Sequence, residues 1–365
     1  MSDLIIVGGG VIGLTLAWKL AEQGAEVQLI EQGQLGREAS WAGAGMLPPA
    51  DLQVAQAPLA RLRALSHPLW PAWSEQLLIE TGIDNGYVDC GALELVYSTE
   101  EMTETELQLK NEGVEFKHLF VDELRQNHPV LSDNISAVFH IPAMGQVRNP
   151  RHLKALVAAA ALRGVKLIEG EPVSSFETSS GKIKGVRTPL RTYRADQVCI
   201  TTGAWSAQLG QQLGLQIPVR PVRGQIALLR KQPLPFTHIL QHKEQYLVPR
   251  PDGRILIGST MEEVGFVKSN TVTGISGLLR FATETVPALK NAELERTWSG
   301  LRPGSPDGIP FLGQAPGCDN LYYACGHFRD GLQLSAGTAL VMSRLILGQE
   351  PGLDLAPYSL ERKLD

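Results

Sequence analysis

The chain has 365 residues, 43% of them hydrophobic and 19% charged, which is the composition of an ordinary globular protein and excludes a disordered, collagenous or membrane-embedded chain. Lys and Arg number 33 against 38 Asp and Glu, a net charge of -5, so no basic excess exists to neutralise a run of phosphates and a nucleic-acid partner is not expected. The four cysteines are scattered without a C-x-x-C pair, and neither a signal-peptide pattern nor an apolar run near ~18 residues occurs, so a cytoplasmic chain with reduced thiols, no bound metal and no membrane span is expected.

Residues 4–7 are a continuous apolar run of strand type, followed by Gly8-Gly9-Gly10-Val11-Ile12-Gly13 and by apolar residues at 12, 16, 17 and 20. That order predicts a strand, a glycine turn and a helix, with Gly24 ending the helix and a second strand over 26–30 leading to Glu31. A helical pattern covers 58–80, strands are expected over 87–97 and 136–141, and an acidic helix-prone stretch lies around 100–112. Asn149-Pro150 reads as an N-cap with Pro at the first helical position, opening a helix to Arg163 that Gly164 stops. Strands follow at 165–168, 183–186 and 198–201, and Pro251-Asp252-Gly253 is a tight turn between strands at 246–248 and 255–257. The chain then returns to a strand at 321–323, a Gly-rich turn and a helix through Leu345.

The spacing Gly8-x-Gly10-x-x-Gly13 gains its meaning from lying between a strand and a helix. One glycine makes the tight turn, one lets the backbone approach a pyrophosphate, and one lets helix and strand pack closely, while the helix N-terminus faces the phosphate charge. Glu31 ends the second strand, where a carboxylate accepts from an adenosine ribose and repels a 2′-phosphate. A dinucleotide site follows, although this motif alone does not choose between NAD and FAD. Two further stretches bear on that choice: the small residues from Glu38 to Leu47, suited to lie against a flat ring, and Gly326 to Gln333, placed so that the last helix directs its positive end at the turn.

Together these motifs resemble the D-amino-acid oxidase family of FAD enzymes, most closely its glycine oxidase branch linked to thiamine biosynthesis. The resemblance spans essentially the whole chain. It rests on the Gly8–Gly13 fingerprint with Glu31, the segment from Arg37 to Leu47, Thr202-Gly203-Ala204-Trp205, Gly300-Leu301-Arg302-Pro303 with Pro306-Asp307-Gly308 and Pro310 behind it, and Gly326-His327-Phe328-Arg329-Asp330-Gly331. It implies an α/β fold, α+β overall, in which a Rossmann-like FAD-binding domain (1–85, 145–220 and 300–365) interleaves with a mixed β-sheet substrate-binding domain (86–144 and 221–299).

By matching position, the resemblance implies FAD contacts at Gly8, Gly10, Val11, Ile12, Gly13, Glu31, Ser40, Ala44, Gly45, Met46, Val173, Gly203, Trp205, His327, Arg329, Asp330, Gly331, Leu332 and Gln333. It places the substrate α-carboxylate on Arg302, with a phenolic hydrogen bond from Tyr246 and a second cation from Arg329, and Met261 is expected as a pocket wall. A planar guanidinium matches a carboxylate bidentately, which agrees with the Arg302 assignment. No side-chain base is expected, because the family passes the substrate hydrogen as hydride to the flavin and dioxygen then becomes hydrogen peroxide. The flavin is expected to be non-covalent, His327 to orient backbone, and Gly43 to loosen its loop. A small amine or amino-acid substrate and a homotetramer are further implications. A sarcosine or D-amino-acid oxidase, a dehydrogenase of the same fold and a non-catalytic flavin scaffold are the alternatives.

Overall fold

A computed structural model describes residues 2–364. The strand Ser2–Val7, the helix Val11–Glu22 and the strand Val27–Ile30 form the expected opening unit, and Gly24 takes the left-handed conformation (φ +88°) that ends the helix. Ser2–Val7 lies between Val27–Ile30 and Thr192–Ile200, parallel to both, and the parallel sheet continues through Lys166–Ile168 on one side and Leu321–Cys325 on the other. Its central strands are apolar on both faces because both are covered: Leu4 and Ile6 pack with the helices Val11–Glu22 and Gly331–Ile346, and Ile5 and Val7 pack with Ile183, Val186 and Phe311 of the strands Lys182–Arg187 and Phe311–Gln314.

The second large sheet runs in the order Glu293–Gly304, Arg220–Arg230, Arg254–Gly258, Gln245–Pro249, Ile239–His242, Ala92–Val96, Ala137–Ile141 and Lys117–Leu119. All its neighbours are antiparallel except Ile239–His242 against Ala92–Val96, so the sheet is mixed as expected. Alternate residues divide it into two faces: Leu93, Leu95, Leu240 and Leu247 pack under the helix Val272–Thr285, while Ala92, Phe139, Ile226 and Tyr246 form the other face. Among the described residues, no helix is long and apolar enough to cross a membrane.

Three local expectations differ. The strand expected over 87–97 is two short strands, Val88–Asp89 and Ala92–Val96, because Gly91 turns left-handed (φ +69°) between them. The helix Asn149–Leu162 takes Arg148 as its N-cap, and Asn149 is spared capping because its amide donates to the Ser40 carbonyl at 2.7 Å. The strand Glu293–Gly304 runs unbroken across the boundary drawn at 299/300, since it pairs along its length with Arg220–Arg230.

Candidate cofactor and substrate site

A chamber of about 380 Å³ is lined at once by the first glycine turn, the 38–46 segment, the 326–333 turn and the face of the mixed sheet carrying Tyr246 and Arg302. The turn needs its glycines for distinct reasons. Gly8 sits at φ +112°, and a Cβ there would lie 2.7 Å from the Thr201 carbonyl carbon. Gly13 does not line the chamber; a Cβ on it would penetrate the Gly8 carbonyl oxygen and approach Thr201 Oγ1 to 2.7 Å, so it is the residue that lets helix pack on strand. The Glu31 carboxylate is 9% exposed and accepts from the backbone N–H of Gly9 at 2.7 Å and of Gly33 at 2.8 Å, which fixes it at the rim with lone pairs to spare for a hydroxyl donor. Ser40 Oγ accepts from Val11 N–H at 2.9 Å and ties the 38–46 segment to the helix start.

Contrary to expectation, Gly43 does not leave its loop loose. A Cβ there would touch Asn149 Nδ2 at 3.0 Å, Trp298 Nε1 donates to the Ala42 carbonyl at 3.0 Å, and Gly45 bends left-handed (φ +77°) with its carbonyl accepting from Val147 N–H. Arg250, 5% exposed, donates to the Ala44 carbonyl at 2.6 Å and the Val147 carbonyl at 2.9 Å, with Gln146 Oε1 as a third acceptor at 2.5 Å. Burial lowers its pKa to about 10, so the cation persists at neutral pH. The chamber wall formed by the 42–46 backbone is therefore held rigid from behind by residues distant in sequence.

On the opposite wall the helix Gly331–Ile346 starts at the chamber with Asp330 as N-cap. His327 is 2% exposed, its Nε2 lies 3.0 Å from Thr338 Oγ1, and burial lowers its pKa to about 3. It is therefore a neutral ring that anchors the turn to its own helix. Phe328 N–H donates to the Pro303 carbonyl at 2.9 Å, which brings the turn beside the strand carrying Arg302. Gln333 carries its amide Nε2 on the Pro48 and Arg63 carbonyls, both at 3.2 Å, and leaves Oε1 buried without a partner.

The end of the chamber that carries Arg302 and Tyr246 is built on two further glycines. Arg302 lies across Gly224 of the adjacent strand, where a Cβ would come within 2.5 Å of the guanidinium carbon, and Tyr246 lies across Gly258 in the same way. Arg302 Nη1 donates to the Thr260 carbonyl at 3.1 Å and Nη2 donates to Ser259 Oγ, so the fork is oriented before any ligand arrives. Burial lowers its pKa from the ordinary guanidinium value, with the Tyr246 phenol opposing that shift and Arg329 adding to it. Tyr246 is 7% exposed.

Val173, Gly203 and Trp205 line the chamber with the 44–46 segment and residues 327–333. Two expected substrate residues stand differently. Met261 is 43% exposed and does not line the chamber, because Thr260 and Glu262 on either side are turned inward to Arg302, Gln225 and Arg223, and alternation sends Met261 out. Arg329 lines the chamber but pairs with Glu244 at 3.5 Å, which partly neutralises a second cation. The sequence reading missed Gly224, Gly258, Asn149 and Arg250; their only signal is pairing between distant segments. His238 and His242 stand four apart, yet His242 lies in the strand Ile239–His242, where such spacing separates side chains by about 13 Å and makes no ligand pair.

Cys325 also lines the chamber, and burial pushes its thiol up to about 12, so no thiolate is available for a covalent flavin bond. Acid precipitation of the holoprotein is expected to leave the flavin in the supernatant; flavin absorbance retained in the washed pellet would show a covalent link.

Known proteins resemble this chain along essentially its whole length. The family model described as FAD dependent oxidoreductase matches residues 3–345. A glycine oxidase of Pseudomonas putida is 35% identical over 99% of both chains. A bifunctional ThiO/ThiG protein of Synechocystis is 36% identical over all of this chain and 54% of its own length. The crystal structure of glycine oxidase from Geobacillus kaustophilus superposes with a TM-score of 0.95 at 35% identity, covering 100% of this chain and 99% of that one.

Proposed function

The chain belongs to the family of FAD-dependent oxidoreductases matched over residues 3–345, and from that membership we propose that it oxidises glycine and other small amines such as sarcosine and D-alanine. Glycine, dioxygen and water would give glyoxylate, ammonia and hydrogen peroxide. The observation that carries the substrate claim is Arg302: a guanidinium pre-oriented by Thr260 and Ser259, in the same chamber as the Gly8 turn, is a carboxylate receptor facing the cofactor.

FAD, when bound, supplies the two-electron acceptor. The chain's own residues do the rest. The 42–46 segment, braced by Arg250 and Asn149, would hold the ring system of the cofactor. Arg302 and Tyr246 would hold the carboxylate and so orient the substrate α-carbon in the chamber. The neutral His327 keeps the last helix's positive end directed at the chamber, where negative charge develops on reduction. The ThiO/ThiG relatives support a role in which the imine is passed on to thiamine thiazole formation. Cytoplasmic location and a homotetramer belong to the same reading.

Anaerobic mixing with a panel of small amino acids, followed at the flavin band, tests it. Glycine, sarcosine and D-alanine are expected to bleach the band and L-alanine to do so far more slowly; faster reduction by L-alanine would overturn the binding mode. Oxygen uptake with the same panel separates an oxidase from a dehydrogenase.

A further inference from the structure

One half-buried carboxyl beside the chamber has no part in the reaction above. Glu94 lies in the strand Ala92–Val96, on the face that carries Ala92 and Val96, and its cross-strand neighbours are Phe139 on one side and Gln241 on the other. Gln241 lines the chamber and Glu94 does not. Gln241 is also directly paired with Tyr246 on its other side, so the two share one face within the ~5 Å of a cross-strand pair. Gln241 Nε2 donates to Glu94 Oε2 at 2.5 Å. One of the two amide N–H groups is thereby directed at Glu94, and the carbonyl oxygen is the acceptor left for the chamber, beside the phenol that meets the substrate carboxylate.

We propose that Glu94 is a positioning residue which, by accepting the Gln241 amide N–H, turns the Gln241 carbonyl oxygen toward the chamber to accept a hydrogen bond from the substrate amine. This rests on the amine-oxidase reading above and adds the amine receptor that Arg302 and Tyr246 do not supply. The arrangement is polarised by the charge on Glu94. An ionised carboxylate only accepts and holds the amide nitrogen; a protonated carboxyl can donate, which frees the amide to rotate and offer N–H, the wrong polarity for an amine.

Burial raises the Glu94 pKa to about 7, opposed by the Gln241 bond and by the Lys243 backbone. The charged groups nearby are engaged with one another. Lys243, just after the strand Ile239–His242, and His242, its last residue, face Glu101 of the helix Thr99–Asn111 at 2.5 and 3.7 Å. Phe139, Ile226 and Val248 fill the rest of the layer with apolar surface, and the titratable groups that stand with them among the described residues include Tyr246, the His118 ring stacked 4.9 Å from Phe139, and the Cys90 thiol, raised by burial. Glycine recognition is therefore expected to strengthen as pH rises through neutrality.

The test uses dithionite-reduced holoenzyme without oxygen, which binds ligand without turnover, titrated with glycine and with acetate, which lacks the amine. The wild type is expected to prefer glycine, with the preference growing between pH 6 and pH 8.5. Glu94→Gln and Gln241→Leu should each weaken glycine by about 10-fold at pH 8.5, the worth of one hydrogen bond, while acetate stays within about 2-fold and the pH dependence disappears. The double variant should be no worse than either single one. Equal weakening of acetate, additive losses in the double variant, or a wild type that binds glycine no better than acetate would overturn the proposal. Tight glycine binding to reduced enzyme without reduction of oxidised enzyme would instead defeat the oxidase reading alone.

Discussion

Arg302→Ala is expected to lower kcat/KM for glycine by at least ~10-fold and as far as ~10²-fold, since each hydrogen bond to a charged group is worth ~1.5–3 kcal/mol. The flavin spectrum and flavin content should stay native, because the partners that Arg302 leaves behind, the Thr260 carbonyl and Ser259 Oγ, belong to the mixed sheet and not to the dinucleotide cradle. Arg302→Lys keeps the charge but loses the fork and should fall between wild type and Ala. The structure adds a second route to the same loss. Gly224→Ala leaves Arg302 in the sequence but puts a methyl group within 2.5 Å of its guanidinium carbon, so the fork must leave the position in which Thr260 and Ser259 hold it. For both Arg302→Ala and Gly224→Ala, kcat/KM for glycine should fall and the Kd for acetate should rise in parallel. Wild-type kcat/KM in the Ala variant would place the carboxylate elsewhere, with Arg329 the next residue to test.

Gly13→Ala should largely abolish flavin retention. Helix propensity points the other way, since Ala is favoured over Gly by up to ~1 kcal/mol in a helix interior. Packing decides against it: the new Cβ would occupy the Gly8 carbonyl oxygen's space and press on Thr201 Oγ1, and both are backbone-tied groups that cannot swing aside. The helix Val11–Glu22 must then lift from the strand Ser2–Val7, at a cost of ~1–3 kcal/mol for overpacking. Its first turn moves with it and FAD affinity should fall by more than ~10-fold. The flavin-to-protein ratio after gel filtration and the thermal midpoint of the apoprotein measure the two consequences. Gly277→Ala is the control, because that glycine lies in the helix Val272–Thr285 with open space around its missing Cβ, and it should be neutral or stabilising. A Gly13→Ala protein with full flavin content would show that close helix-to-strand approach is not what the third glycine provides.

Local chemistry made much of this protein legible in one dimension. A strand, a glycine turn and a helix occupy consecutive residues, so the cradle from Gly8 to Gly13 and the carboxylate at Glu31 announce themselves by spacing alone, and Gly24 and Gly164 mark helix ends because a left-handed residue must be supplied locally. The family's ordered motifs likewise carried Arg302, Tyr246 and the 326–333 turn. What spacing does not encode is the pairing of strands far apart in the chain. The strand Arg220–Arg230 lies beside Glu293–Gly304, and only that register sets Gly224 under Arg302; Gln245–Pro249 lies beside Arg254–Gly258, and only that register sets Gly258 under Tyr246. The same holds for Arg250 reaching Ala44 across 206 residues and Asn149 reaching Ser40 across 109, which turned a loop expected to be loose into a braced wall. Met261 shows the converse: its neighbours Thr260 and Glu262 are claimed by tertiary partners, and the alternation of the backbone then sends it to solvent. The sequence by itself determined where backbone must approach a phosphate and which residue types can hold a carboxylate, because those demands are met by neighbours in the chain. Tertiary structure alone decided which side chains are oriented before the ligand arrives, because orientation comes from hydrogen bonds and steric limits contributed by strands that meet only in the fold.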